Sequence, residues 1–252
     1  NFEAYNLFLR ARGLWWRFTR ETLAEAKPMF EHAITLDDGF AAAYAGLAQC
    51  HNIEYINVWS ESPEASQQQA YDLVLKAMSR DASDAQANCI LGSIMLWRRE
   101  HEQAIAAAEK SVALEPNYSY GYAMLGHILH YVGRSTESFD LLDKAIRLDP
   151  HYPDLYLNFI GLAHFALGRY EDAIAALKQR IVRNPHTDMS RVLLAACHGQ
   201  LGQIDAARTA WREMLRVNPA YSLEQRKRIL PYKDPRDLEK IIDGLRKAGL
   251  PD

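Results

Sequence analysis

The sequence is short of several things, and each shortage excludes a class of protein. Only three of its 252 residues are cysteine, and Cys50, Cys89 and Cys197 are odd in number and far apart. They sit inside helical patterns and read as small buried residues of a reducing compartment, not as a disulfide framework. No apolar run approaches the roughly 20 residues a membrane-crossing helix needs, and no signal peptide stands at the start. The formal net charge is only −3, without a basic stripe, which argues against nucleic acid and against an anionic membrane surface. The chain opens on Asn1-Phe2-Glu3 in mid-pattern, without an initiator methionine. It reads as a piece of a longer cytoplasmic protein whose targeting signals would lie elsewhere.

Catalytic chemistry is thin as well. None of the nine histidines has a Ser or Cys companion at a recognisable spacing, and the glycines fall at helix turns, not in a phosphate loop. His51, His164 and His198 share one slot, three after the small residue of a first helix, where Met95 and Leu129 stand in other repeats; packing is the expected role. His127 and His130 are i and i+3 on a helix and close enough to share a ligand. No third ligand lies nearby in sequence, so zinc is not expected. No catalytic, cofactor-binding or metal residue is assigned, no cofactor is expected, and a binding module is expected in place of an enzyme. An enzyme would need a deep pocket with perturbed titratable groups.

What the chain does have is a period. Tyr122, Leu125, Gly126, Leu129, Ser138, Leu142, Ala145 and Pro150 set a spacing that returns three more times. It recurs upstream from Asn88 to Pro116, and downstream from Leu157 to Pro185 and from Arg191 to Pro219. The closing prolines are 34, 35 and 34 residues apart. Each unit reads as two helices. The first has a large-x-x-large-small-x-x-large pattern whose small member (Gly92, Gly126, Gly161, Ala195) lets a neighbour approach closely. The second sets a small residue four before a large one, as in Ala173/Leu177 and Ala207/Trp211, again at helical spacing. Gly133, Gly168 and Gly202 stand where the first helix must stop, the place where positive φ is cheapest. A 34-residue period with this signature resembles the tetratricopeptide repeat (TPR).

The resemblance implies an all-α fold, a right-handed α-solenoid of about six helix pairs and about fourteen helices in all. The array covers residues 1–221, in repeats at about 1–40, 41–84, 85–118, 119–153, 154–187 and 188–221. A polar helical cap follows over 222–252. The first repeat is degenerate: Asp37-Asp38 replace the proline, Thr19 or Thr22 caps its second helix, and Pro28 inside that helix is expected to kink it. Of the adjacent Trp15 and Trp16, one can face the core. The second repeat carries a ten-residue insertion, with Ser62 as N-cap and Pro63 at the first helical position. Both of its helices should therefore run about a turn and a half longer; plain packing between them is the expected role of the insert, and display of Tyr55 and Trp59 at an inserted edge is the alternative. Arg98-Arg99-Glu100 stands where other repeats have glycine, so a looser corner is expected.

In such arrays the first helices line the concave face. By helical spacing the inward residues include Gln49, Asn52, Gln86, Cys89, Ser93, Trp97, Tyr120, His127, Tyr131, Asn158, Leu162, Phe165 and Met189. TPR proteins that grip an acidic peptide terminus do so with Lys, Arg and Asn; here Cys89, Ala123, Asn158 and Val192 fill one recurring slot without a lysine. The expected contact set for a protein or peptide partner is Gln49, Asn52, Gln86, Trp97, Tyr120, His127, Tyr131, Asn158, Leu162 and Phe165, with Tyr55 and Trp59 secondary. Nucleic acid and direct membrane insertion are not expected, and a homodimer stays open. His127 is expected to act as a pH lever near its ordinary pKa of about 6.5.

Two border phrases, NFEAYNLFLRARG and LPYKDPRDLEKIIDGLRKAGLPD, and the insert WSESPEASQQQA are similar to the C-terminal TPR region of bacterial class III adenylate/guanylate cyclases. That resemblance implies a nucleotide cyclase domain upstream and a regulatory or partner-binding role for the array. None of the cyclase's metal-binding or base-selecting residues can be carried over. Related arrays are also attached to winged-helix DNA-binding heads, and a free-standing TPR scaffold is a further alternative.

Overall fold

The computed structural model describes residues 1–251 and is helical throughout, with no strand among the described residues. Among the described residues fourteen helices follow one another: α1 Phe2–Trp15, α2 Arg20–Leu36, α3 Ala41–Ile56, α4 Pro63–Arg80, α5 Ala85–Trp97, α6 His101–Leu114, α7 Ser119–Tyr131, α8 Ser135–Leu148, α9 Leu155–Ala166, α10 Tyr170–Arg183, α11 Met189–Gln200, α12 Ile204–Val217, α13 Leu223–Ile229 and α14 Pro235–Lys247. They form two compact units, Asn1–Met124 and Leu125–Asp252.

In the first unit, local chemistry sets the helix starts. The Asn1 side chain accepts from the Glu3 and Ala4 amides, Thr19 and Thr22 form a capping box, and Asp84 accepts from the Ala87 amide. These are the side-chain acceptors that orphan N–H groups of a first turn require. The helix α2 runs on through Pro28. Helices pack in consecutive pairs, and the core is apolar: Phe8, Trp15, Leu23 and Phe30 are buried with Ala43 and Leu47. Close contacts fall where small residues stand. A Cβ on Gly92 would lie 3.1 Å from the Ala104 carbonyl, and one on Gly46 would lie 2.5 Å from Phe30 Cε1.

Two local expectations change. The second pair, α3 and α4, has 16 and 18 residues against 13 and 14 in α5 and α6, so each gains about one turn, not one and a half. Pro63 does open α4, but the Ser62 side chain makes no capping bond. The corner lacking glycine is not looser either. Arg99 takes φ +62°, and the amides of Arg99 and Glu100 bond to the Leu96 and Met95 carbonyls, both at 2.9 Å. Those two bonds match the closure at Gly133, where the Gly133 and Arg134 amides bond to His130 and Leu129 at 3.0 and 2.8 Å. A left-handed non-glycine residue costs ~1–2 kcal/mol. Here the neighbouring Arg98 side chain pairs with Glu100 at 2.8 Å and lies over the Tyr71 ring.

In the second unit the repeat devices hold. Gly133, Gly168 and Gly202 have φ of +85°, +73° and +69°. A Cβ on Gly126 would fall 3.1 Å from the Ser138 carbonyl, and one on Gly161 would fall 2.8 Å from Leu177 Cδ2. The C-terminal helices do more than finish the array. Helix α14 packs on α11, burying Ile241, Ile242, Leu245 and Ala248. The crossing is backbone to backbone: a Cβ on Gly199 would collide with the Gly244 carbonyl oxygen. Gln200 and Lys247 fasten it, the former donating to the Lys240 carbonyl at 2.7 Å and accepting from Lys247 at 2.8 Å.

Candidate partner-binding surfaces

Eight of the ten first-helix residues expected to meet a partner are buried: Gln49, Asn52, Trp97, Tyr120, His127, Tyr131, Leu162 and Phe165. Gln86 and Asn158 are half-buried. Each unit covers its first helices in its own way.

In the first unit the cover is side chains. Trp15 and Trp16 stack at 4.7 Å, and Tyr120 meets both edge-on, with Trp16 at 5.1 Å. Phe18, at φ +49°, turns the α1–α2 corner and packs against both indoles. Polar groups between α3 and α5 satisfy one another. Asn52 donates to Ser93 Oγ at 2.9 Å and to Gln49 Oε1 at 3.4 Å, and Gln67 donates to the Trp97 carbonyl at 2.9 Å. The Gln86 amide nitrogen is buried without a hydrogen bond. At the inserted edge, Tyr55 and Trp59 are half-buried, and Trp59 packs on the core of the first pair. His51 lies 3.4 Å from Glu54, which Lys27 also reaches at 2.5 Å. Burial works against the Glu54 carboxylate, but the bonds from His51 and Lys27 outweigh it and hold its pKa below the usual range.

In the second unit the cover includes main chain. His127 stacks on Phe159 with centroids 3.9 Å apart and meets the edge of Tyr131. Its neighbour His130 bonds Ser135 Oγ at 3.1 Å and Tyr232 Oη at 3.3 Å. The two imidazoles thus have different partners. Among the described residues no group of three or more His, Cys, Asp or Glu side chains could hold a metal. Burial pushes His127 well below the ordinary histidine range and His130 down to about 4. The expected pH lever near 6.5 is therefore corrected, because desolvation disfavours the imidazolium. Asn158 accepts from Ser190 Oγ at 2.9 Å; Ser190 in turn accepts from Arg180 at 2.7 Å, and Arg180 pairs with Asp154 at 3.2 Å. His164 packs against Phe139, and His198 Nδ1 lies 2.6 Å from Gln203 Oε1. The segment Leu230-Pro231-Tyr232 is buried between α13 and α14, a cover that the reading of 222–252 as a polar cap did not anticipate. The signal was present in sequence: Leu238, Ile241, Ile242 and Leu245 stand at i, i+3, i+4 and i+7, an apolar stripe that needs a partner face.

The comparisons with known proteins agree with this architecture. A family profile described as tetratricopeptide repeat matches residues 120–152, and one described as anaphase-promoting complex, cyclosome, subunit 3 matches 140–214. Among solved structures, the APC/C hetero-tetramer Cut9-Hcn1 superposes with a TM-score of 0.68 at 19% identity, over 90% of this chain and 46% of that one. A thermophilic TPR protein of Thermus thermophilus gives 0.58 at 21% identity, over 77% and 99%. With this period and these matches, residues 120–152 carry a tetratricopeptide repeat, and the chain has the fold of the tetratricopeptide-repeat structures it superposes on.

A narrower similarity covers almost all of it. "Putative adenylate cyclase 3" of Rhizobium meliloti (strain 1021) is 37% identical over 248 residues, 98% of this chain and 42% of the relative. The subunit CDC27 of the anaphase-promoting complex of Saccharomyces cerevisiae is 38% identical over 39 residues, 16% of this chain and 5% of that one. The chain therefore spans less than half the length of the curated relatives it matches. No helix among the described residues is long and apolar enough to cross a membrane.

Proposed function

We propose that this chain is the non-catalytic, partner-binding part of a bacterial adenylate/guanylate cyclase, acting in signal transduction by gripping a protein or peptide. The observation that carries the reading is the 37% identity over 98% of the chain to a protein named as an adenylate cyclase, of which the match occupies 42%. Repeat proteins built of stacked helix pairs use their extended surfaces for binding. The contact residues of this reading are the first-helix set. Its half-buried polar members are Gln86 in one unit and Asn158 in the other. The Asn158 carbonyl is held by Ser190, which orients the side-chain NH2 as a donor to an extended backbone.

The test is direct. The purified chain should convert no ATP to cyclic AMP, and deleting it from the full gene product should change that product's activity or location while leaving nucleotide chemistry intact. Turnover by the chain alone, or a deletion without effect on activity or location, would contradict the proposal.

A further inference from the structure

A connecting segment normally runs over the surface, because buried backbone must find partners for its N–H and C=O groups. The link between α13 and α14 does the opposite. Leu230, Pro231 and Tyr232 are all buried. The Tyr232 ring packs against Tyr131 at 4.7 Å and His130 at 5.6 Å. The amide of Lys233 then donates to the Tyr131 carbonyl at 2.9 Å. Tyr131 is the last residue of α7, and the carbonyls at a helix end are the ones left without an intrahelical partner. One aromatic anchor, a proline-stiffened extended backbone and one main-chain hydrogen bond are the means by which a bound peptide is held. Beyond the link, α14 is fastened to α11 through the Gly199–Gly244 crossing.

We infer that the surface of the second unit formed by the ends of α7 and α11 is a binding site for an extended protein segment, and that the chain's own residues 230–247 are its resident, competing occupant. The inference deepens the proposed function, since it takes the first helices to be the binding face. A tethered occupant is present at an effective concentration in the millimolar range. A partner segment of similar chemistry, an aromatic residue after proline followed by an apolar helix, gains access only by displacing it.

The probe is a fluorescein-labelled synthetic peptide of the chain's own residues 228–251, titrated into the full chain and into a Tyr232→Ala, Gly244→Leu variant of the full chain. The variant should retain its helicity and bind the peptide about tenfold or more tightly than the parent, whose site is filled in cis. The same peptide carrying Tyr232→Ala should lose that gain. If the double variant fails to fold, Tyr232→Ala alone, which leaves the glycine crossing intact, should still bind several-fold more tightly than the parent. Equal affinity for parent and folded variant, or no binding to the folded variant, overturns the inference. A concentration-dependent dimer of the parent chain that the peptide dissociates would also overturn it, by placing the segment in a second copy. Because the peptide comes from this chain, a negative result here leaves the cyclase-partner reading standing, and failure of that reading leaves this measurement unaffected.

Discussion

The units Asn1–Met124 and Leu125–Asp252 are built from the same repeat and differ in what lies on their first helices. In the former, Trp15 and Trp16, with Phe18 packed against them, close over Tyr120, and Asn52 ties α3 to α5 through Ser93. In the latter, a stretch of main chain, Leu230 to Lys233, lies against His130 and Tyr131. Cover made of core side chains cannot leave without emptying the core. The second unit's cover buries Leu230, Pro231 and Tyr232 too, but it lies outside the helix pairs α1 to α12, from which its displacement removes no side chain. Repeats that look alike in sequence can thus differ in what their surfaces are able to exchange.

The largest effect should come from breaking the side-chain cover. Trp15 is fully buried, so Trp15→Ala should cost ~3–5 kcal/mol, read as a lower urea midpoint with loss of the near-ultraviolet indole signal. Next is the glycine crossing of the second unit. A Cβ on Gly199 runs into the Gly244 carbonyl oxygen, so Gly199→Ala forces α14 away and should cost ~1–3 kcal/mol. Gly126→Leu, against the Ser138 carbonyl at 3.1 Å, should cost a comparable amount. A tolerated side chain at either position, seen as an unchanged midpoint, would remove the close contact from the account.

Acid should distinguish the units further. His130 is held neutral in the fold at about 4 by burial, against an ordinary value of about 6.5. Asp237 works the other way and Lys240 adds to the depression. The unfolded chain takes up the proton first, so stability falls as pH drops from about 6.5 towards 4 and is steady above that window. His127 is depressed in the same direction. Urea midpoints measured from about pH 4 to about pH 8 should decline in that window, and His130→Gln should flatten the decline. The smallest effect belongs to Asn52→Ala, which removes the 2.9 Å bond to Ser93 and the longer, weaker one to Gln49; the loss of these neutral buried hydrogen bonds should cost about 1 kcal/mol.

Much of the fold was legible from spacing. The repeat of Tyr122, Leu125, Gly126 and Leu129 anticipated the helix pairs, and Gly133, Gly168 and Gly202 do adopt positive φ. Spacing fails where geometry is held by something other than the usual residue, as at Arg99, whose left-handed turn needs no glycine. It fails also on the site. A 3.6-residue period tells which residues share a face, and so places Tyr131 and His127 inward, but it carries no information on a segment about a hundred residues away that comes to lie on Tyr131. The amphipathic stripe of α14 said that it needed a surface, without saying which.

The central claim is that the second unit's first helices carry the chain's own main chain as a ligand. It is tested most directly by amide hydrogen exchange at Lys233. That amide lies outside any helix, next to an exposed side chain, yet it donates to the Tyr131 carbonyl at 2.9 Å. The account expects protection of about a hundredfold or more over a free peptide, lost in Tyr232→Ala. Exchange of the Lys233 amide at the free-peptide rate in the unaltered chain would contradict it.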